Sequence, residues 1–153
     1  AWTSMVTGVG PDKHGVQDFL RMEEEAHHIS PTEEVKLNCP AIWDVFSAAD
    51  RRVAMLNLPM IYPPPAVDGW FVSGIPHAVQ EGVAHPDSVQ SELENGPYQI
   101  SSIVDPSSSE EYMEDLKRIV DARAELTLSA LEDADAELVW SVFMAIDWAQ
   151  HYL

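Results

Sequence analysis

Basic residues are scarce in this chain. Its 153 residues include 8 Lys plus Arg against 26 Asp plus Glu, a formal net charge of −18 at pH 7. A surface this acidic repels phosphate backbones and anionic headgroups, which argues against coating nucleic acid or adsorbing to a membrane surface. Cysteine is nearly absent: Cys39 stands alone, so no internal disulfide can form, and a reducing, cytoplasmic setting is the expectation. Long apolar runs are missing as well. The longest, Leu138 to Ile146, is interrupted by Ser141 and falls well short of the ~20 residues a spanning helix needs. No basic and then apolar leader opens the sequence. It begins Ala1-Trp2-Thr3-Ser4 without an initiator Met and stops at Leu153 after an apolar, strand-like segment, so a piece of something longer is expected.

What is present suits one folded domain. Hydrophobic residues make up 46% of the chain, too many for a disordered acidic tail and enough for a core. The carboxylate excess with little Lys also suits solubility in strong salt, where screening removes self-repulsion; an ordinary acidic domain is the plainer alternative.

Along the chain, Ser4 to Thr7 before Gly8 reads as a short helical turn opened by a hydroxyl cap, and residues 10–15 as the loop that ends it. The polar stretch from Arg21 to Lys36 lacks periodicity and reads as an exposed connection. Ile42, Val45, Phe46 and Ala49 recur at helical spacing over residues 41–50, and Val53 to Leu58 follow as a nearly continuous apolar strand. A strand with so little alternation belongs in a parallel sheet covered on both faces, which predicts an α/β fold. Pro59 and Pro63-Pro64-Pro65 force an extended loop after it. Trp70 to Ser73 could form a further strand, and residues 75–109, rich in Pro, Ser and Gly, read as a long irregular excursion of the kind that shapes a site. Ser107-Ser108-Ser109 with Glu110 and Glu111 is a helix start, and Tyr112, Leu116, Ile119, Val120, Ala130 and Leu131 carry one apolar face to about residue 131. Residues 137–146 read as a buried strand ending at Asp147.

Several residues could carry chemistry. His151 follows Asp147 by four, so a helical turn puts both on one face, at a strand end where open α/β sheets bind ligands. A carboxylate with an imidazole suits part of a zinc or manganese site; equally, Asp147 could cap a helix and His151 pack beside Tyr152. Ser4 is either an N-cap or a nucleophile, with Thr3 competing for both roles. His27-His28 reads as a solvated pair, and His77 and His85 have no partner at a diagnostic spacing.

Three blocks in order resemble one family. Ala1-Trp2-Thr3-Ser4-Met5-Val6-Thr7-Gly8 with Pro11 and His14-Gly15-Val16 resembles the nucleophile segment of the type I phosphodiesterase and nucleotide pyrophosphatase family, within the alkaline phosphatase superfamily. Arg52 to Met60, Tyr62-Pro63-Pro64 and Val72-Ser73-Gly74 are similar to its second core strand and the following loop. Val142 to His151 is similar to its Asp-x-x-x-His metal segment. The resemblance implies a three-layer α/β/α sandwich with a mostly parallel central sheet, incomplete at both ends, and a two-metal hydrolase acting on a small-molecule phosphate ester through a phosphorylated Ser intermediate. It places the nucleophile, also a ligand of one ion, on Ser4, and assigns Asp147 and His151 to the other ion. Zinc is the expected metal, with manganese the other candidate.

The same resemblance expects an Asp upstream and an Asp-His pair and a further His downstream, none of which this chain contains; only Ser4, Asp147 and His151 remain. Asn38, Asn57 and Asn95 do not match the family's phosphate-binding Asn. The isolated chain is therefore expected to be inactive. Phosphomonoesterases, sulfatases, phosphonate hydrolases and mutases share the superfamily core, and a catalytically dead binding module is the alternative of another class.

Overall fold

A computed structural model describes residues 1–23, 28–31, 35–76 and 81–152, with only the backbone described at 20–23 and 28–31. A four-stranded sheet is its centre. Strand β3 (Val53–Leu58) is buried along its whole length, as its unbroken apolar run predicts, and pairs in parallel with β4 (Gly69–Ser73) on one side and β6 (Leu138–Ser141) on the other. The two-residue β5 (Ala84–His85) adds antiparallel to β4, giving the order β5-β4-β3-β6. Gly69 opens β4 at φ 124°, where a Cβ would collide with the Val53 carbonyl.

Helices cover both faces, so the fold is α/β with a mostly parallel sheet. Ala54 and Leu56 pack with Val72 against Val89 and Leu93 of α4 (Asp87–Asn95) and Leu126 and Ala130 of α5 (Ser109–Asp133). Val53, Met55 and Phe71 pack on the opposite face against Val6 of α1 (Trp2–Thr7) and Trp43 of α3 (Ile42–Ser47). Trp43 and Phe71 meet edge to face at 5.2 Å.

Near its end β3 carries a bulge. Three steps along it, Met55 to Leu58, match two along β4, Phe71 to Ser73. Asn57 absorbs the extra residue at φ 61°, a left-handed conformation that Asn tolerates better than most residues. Its Oδ1 accepts a hydrogen bond from the buried Tyr98 hydroxyl at 2.5 Å, on the α4/α5 side. Leu58 consequently faces the α1/α3 layer together with Met55, although strict alternation would send it the other way. Gly74 permits the close approach: a Cβ there would lie 2.5 Å from the Asn57 carbonyl oxygen.

The structure corrects several expectations. Ser4 is not a cap, because α1 begins at Trp2 with Ala1 in the N-cap position, making Ser4 an interior helical residue. Residues 11–14 are a helical turn, α2 (Pro11–His14), with Pro at the start where its missing N–H costs nothing. The stretch expected to be a plain connection forms an antiparallel pair, β1 (Leu20–Glu23) with β2 (His28–Pro31), held by backbone bonds that polar sequence does not forbid. Helix α3 is shorter than 41–50. The irregular 75–109 segment contains β5 and α4. Most consequentially, β6 stops at Ser141, and Asp147 lies inside a helix, α6 (Ala145–Tyr152), not at the strand's end.

Candidate functional site

The parallel strands all point their carboxyl ends to one edge, and the segments leaving them meet α1 there. A cleft of about 570 Å³ is lined by Trp2 of α1, Phe19, Ile75 after β4, and Phe143, Met144, Ile146, Asp147 and Gln150 after β6. Ligands bind open α/β sheets at this edge, because the chain leaves the strands there through adaptable loops and helix starts. A second cleft of about 270 Å³ shares Ile75 and is walled by Ser101, Ser102, Tyr112, Trp148 and Tyr152 among others.

Asp147 and His151 are brought together as their spacing predicts. One turn of α6 separates them, His151 Nε2 lies 3.7 Å from Asp147 Oδ1, and both side chains are exposed. Asp147 also lines the large cleft. A hard carboxylate oxygen beside an imidazole nitrogen, both reachable from solvent, fits half of the donor set of a zinc or manganese site. Among the described residues no third His, Cys, Asp or Glu joins them.

Ser4 has a different partner. Its Oγ lies 2.9 Å from Nε2 of His14, and His14 is 1% exposed. The backbone N–H of Val16 donates to His14 Nδ1 at 3.1 Å, which makes Nδ1 the unprotonated nitrogen. Nε2 therefore carries the proton and donates it to Ser4. Gly8 ends α1 in a left-handed conformation that redirects the chain into α2, and Gly15 ends α2 in the same way just before Val16. Thr3 is buried and its carbonyl accepts a hydrogen bond from Thr7 Oγ1 at 2.8 Å; it lines a small polar cleft with Asp18 and Met60. The large cleft reaches α1 through Trp2, and Ser4 is not among the residues that line it.

The other histidines are placed plainly. His85 Nε2 is 3.0 Å from the Val67 carbonyl oxygen. His27 and His77 lie outside the described residues, as does the side chain of His28.

Two buried polar groups near the same edge escape sequence reasoning. Tyr98 donates to Asn57, and its burial pushes its pKa up to about 12, against a smaller opposing effect of Arg123. Arg123, on α5, is 2% exposed, donates to the Ile100 carbonyl at 2.6 Å and stacks over the Trp148 ring at 5.3 Å. The spacing Tyr112, Leu116, Ile119, Leu126, Ala130 already contained a signal, since position 123 falls on that buried stripe.

The fold is an α/β domain with a carboxylate and an imidazole presented together beside its carboxyl-edge cleft. The whole chain, residues 1–153, matches the family type I phosphodiesterase / nucleotide pyrophosphatase, and it belongs to that family. These are hydrolases, generally metal-dependent, that act on small phosphate esters. Comparisons with curated proteins and with solved structures gave no match.

Proposed function

We propose that the protein hydrolyses phosphodiester or pyrophosphate bonds in small molecules, with Asp147 and His151 holding one of two divalent ions. The observation that carries this reading is the Asp147–His151 pair, 3.7 Å apart on the exposed side of α6, with Asp147 at the carboxyl-edge cleft. Asp147 and His151 would hold the divalent ion, zinc or manganese, which when bound would supply charge neutralisation at the phosphoryl oxygens. The acidic composition makes the same demand from the other side, because an anionic ester approaching a chain of net charge −18 gains from local positive charge. Trp2, Phe143 and Ile146 give the cleft apolar walls that suit the organic part of an ester.

The family resemblance assigns the nucleophile to Ser4. In that reading Ser4 Oγ forms a bond to phosphorus as the bond to the leaving oxygen breaks, the hydroxyl proton passes by way of solvent to the departing oxygen, and water then bonds to phosphorus as the phosphoserine bond breaks, its proton returning to Ser4 Oγ. The His14 hydrogen bond favours a second reading, in which Ser4 is a clamp that seats α1 at the edge of the cleft and the attacking hydroxyl is another group.

Hydrolysis of bis(p-nitrophenyl) phosphate by the intact protein with added Mn²⁺ or Zn²⁺ tests the main proposal. Activity that depends on the ion and falls at least about tenfold in Asp147→Asn and in His151→Ala supports it. Metal-independent turnover, or full activity in both variants, removes it.

A further inference from the structure

Among the described residues no carboxylate pairs with Arg123. Its guanidinium is almost wholly enclosed, yet only Nη2 is satisfied, by the Ile100 carbonyl at 2.6 Å, while Nε and Nη1 have no hydrogen-bond partner among those residues. The buried carboxylate on the same helix, Asp115, is taken by Arg118 and by the Ser102 hydroxyl, each at 2.6 Å. Burial pushes the Arg123 pKa down, the mark of a cation held against its solvation preference. One bond to a neutral carbonyl does not offset that loss, because a buried charge is normally paired.

A second unmet donor lies in the same region. The Oδ1 of buried Asn57 accepts from the Tyr98 hydroxyl at 2.5 Å, and Nδ2, on the other branch of that carboxamide, has no partner among the described residues. Tyr98, which holds Asn57, and Ile100, which holds Arg123, belong to one short segment. The charge of Arg123 is felt at the Tyr98 hydroxyl, where it opposes the larger effect of burial. Nε, Nη1 and Nδ2 therefore lie around one enclosed spot. The unmet acceptor nearest in sequence, Gln99 Oε1, bonds to none of them. Donors gathered without an acceptor require one, and a cation among them requires negative charge, which water does not supply. Asn57, Tyr98 and Arg123 are each at most 4% exposed, so only a small ion fits among them. We propose that Arg123 and Asn57 hold a small inorganic anion of halide size between them. Such an ion ties the β3 bulge to the segment that leads into Ser101 and Ser102, which wall the smaller cleft.

The experiment is melting temperature at constant potassium concentration and ionic strength, with gluconate, too large to enter, replaced stepwise by chloride. The intact protein is compared with its Asn57→Asp and Arg123→Met variants. Constant ionic strength holds the screening of net charge fixed, and chloride is the poorer general stabiliser of the two, so a gain in chloride runs against the non-specific trend. The parent is expected to melt about 3–10 °C higher in chloride, along a saturating curve, as for a ligand at about ten to a hundred times its dissociation constant. Bromide should replace chloride. Asn57→Asp brings a carboxylate to the same place and keeps the acceptor for Tyr98, so it is expected to lose the chloride dependence and to melt in gluconate at least as high as the parent does there. Folded Arg123→Met should lose the dependence too. Equal melting of the parent in the two salts overturns the inference and leaves ordered water to meet the donors. So does a chloride dependence that persists in either variant, or an Asn57→Asp protein that fails to fold or melts below the parent in gluconate. Should Arg123→Met not fold, Asn57→Asp decides alone.

Discussion

His14 donates a hydrogen bond to Ser4 and does not accept one from it. The direction follows from Val16, whose backbone N–H occupies Nδ1 at 3.1 Å and leaves the proton on Nε2, 2.9 Å from Ser4 Oγ. An imidazole held in this tautomer cannot take the serine's proton, so the two residues are not a nucleophile and its general base. They are a brace between two short helices, neither of which could hold its position by length alone.

On the clamp reading Ser4→Ala is expected to cost about 1 kcal/mol of stability, the net worth of one hydrogen bond, and to leave turnover within about tenfold. His14→Gln should behave similarly, since it can restore one donor but not both contacts. Chemical denaturation and steady-state rates on the intact protein measure both. If Ser4→Ala stays folded and turnover drops by on the order of 10³-fold or more, the covalent step belongs to Ser4 after all.

Tyr98 makes stability sensitive to alkali. Its folded pKa, about 12, exceeds the usual phenol value of 10.0, so between these limits the unfolded chain loses a proton that the folded chain keeps. The stabilisation is fully present below pH 10 and is lost as pH rises, at about 1.4 kcal/mol per pH unit while the imbalance lasts. Urea midpoints measured from pH 9 to 12 should fall along that slope, and Tyr98→Phe should remove Tyr98's share of it while lowering stability at neutral pH, because Asn57 Oδ1 then loses its donor. An identical alkaline decline in Tyr98→Phe would mean that other groups set it.

Salt should stabilise the protein. With a net charge of −18, repulsion among surface carboxylates opposes the compact state, and 1 M salt shortens its range to ~3 Å. Local ion pairs such as Lys117 with Glu114 weaken at the same time, but both partners are exposed and such pairs are worth little. Melting temperature against potassium chloride is therefore expected to rise from low salt. A flat or falling curve would detach the acidic composition from any adaptation to strong salt.

Elements buried on both sides were the legible ones. Val53 to Leu58 reads as a buried parallel strand because six consecutive positions are enclosed, and α5 announces itself through its apolar stripe and acidic first turn. The run from Leu138 to Ile146 misled for a physical reason: an apolar stretch of that length fits either a strand or a buried helix start. Only residues 138–141 pair with β3; Val142 still donates to the Leu56 carbonyl at 3.0 Å, and the backbone then turns into α6. Helix α4 is faint because just two of its residues, Val89 and Leu93, are buried. The Asp147–His151 pairing was readable because it is local to one helical turn. His14 as the partner of Ser4 was not, since the contact depends on the left-handed Gly8 that redirects the chain between them.

The bulge at Asn57 has a consequence for anyone who edits this chain. Residues before and after it are two half-strands out of phase by one position, so odd-numbered Val53 and Met55 share a face with even-numbered Leu58. Deleting one residue between Met55 and Leu58 would remove the bulge and restore simple alternation with Leu58 still on the Met55 face, whereas deleting two would turn Leu58 toward α4 and α5, dragging with it Met60, which lines the small cleft beside Thr3. A graft of this strand therefore keeps its register with β4 either with the bulge intact or with the one extra residue removed, and a deletion of one residue there should be better tolerated than a deletion of two.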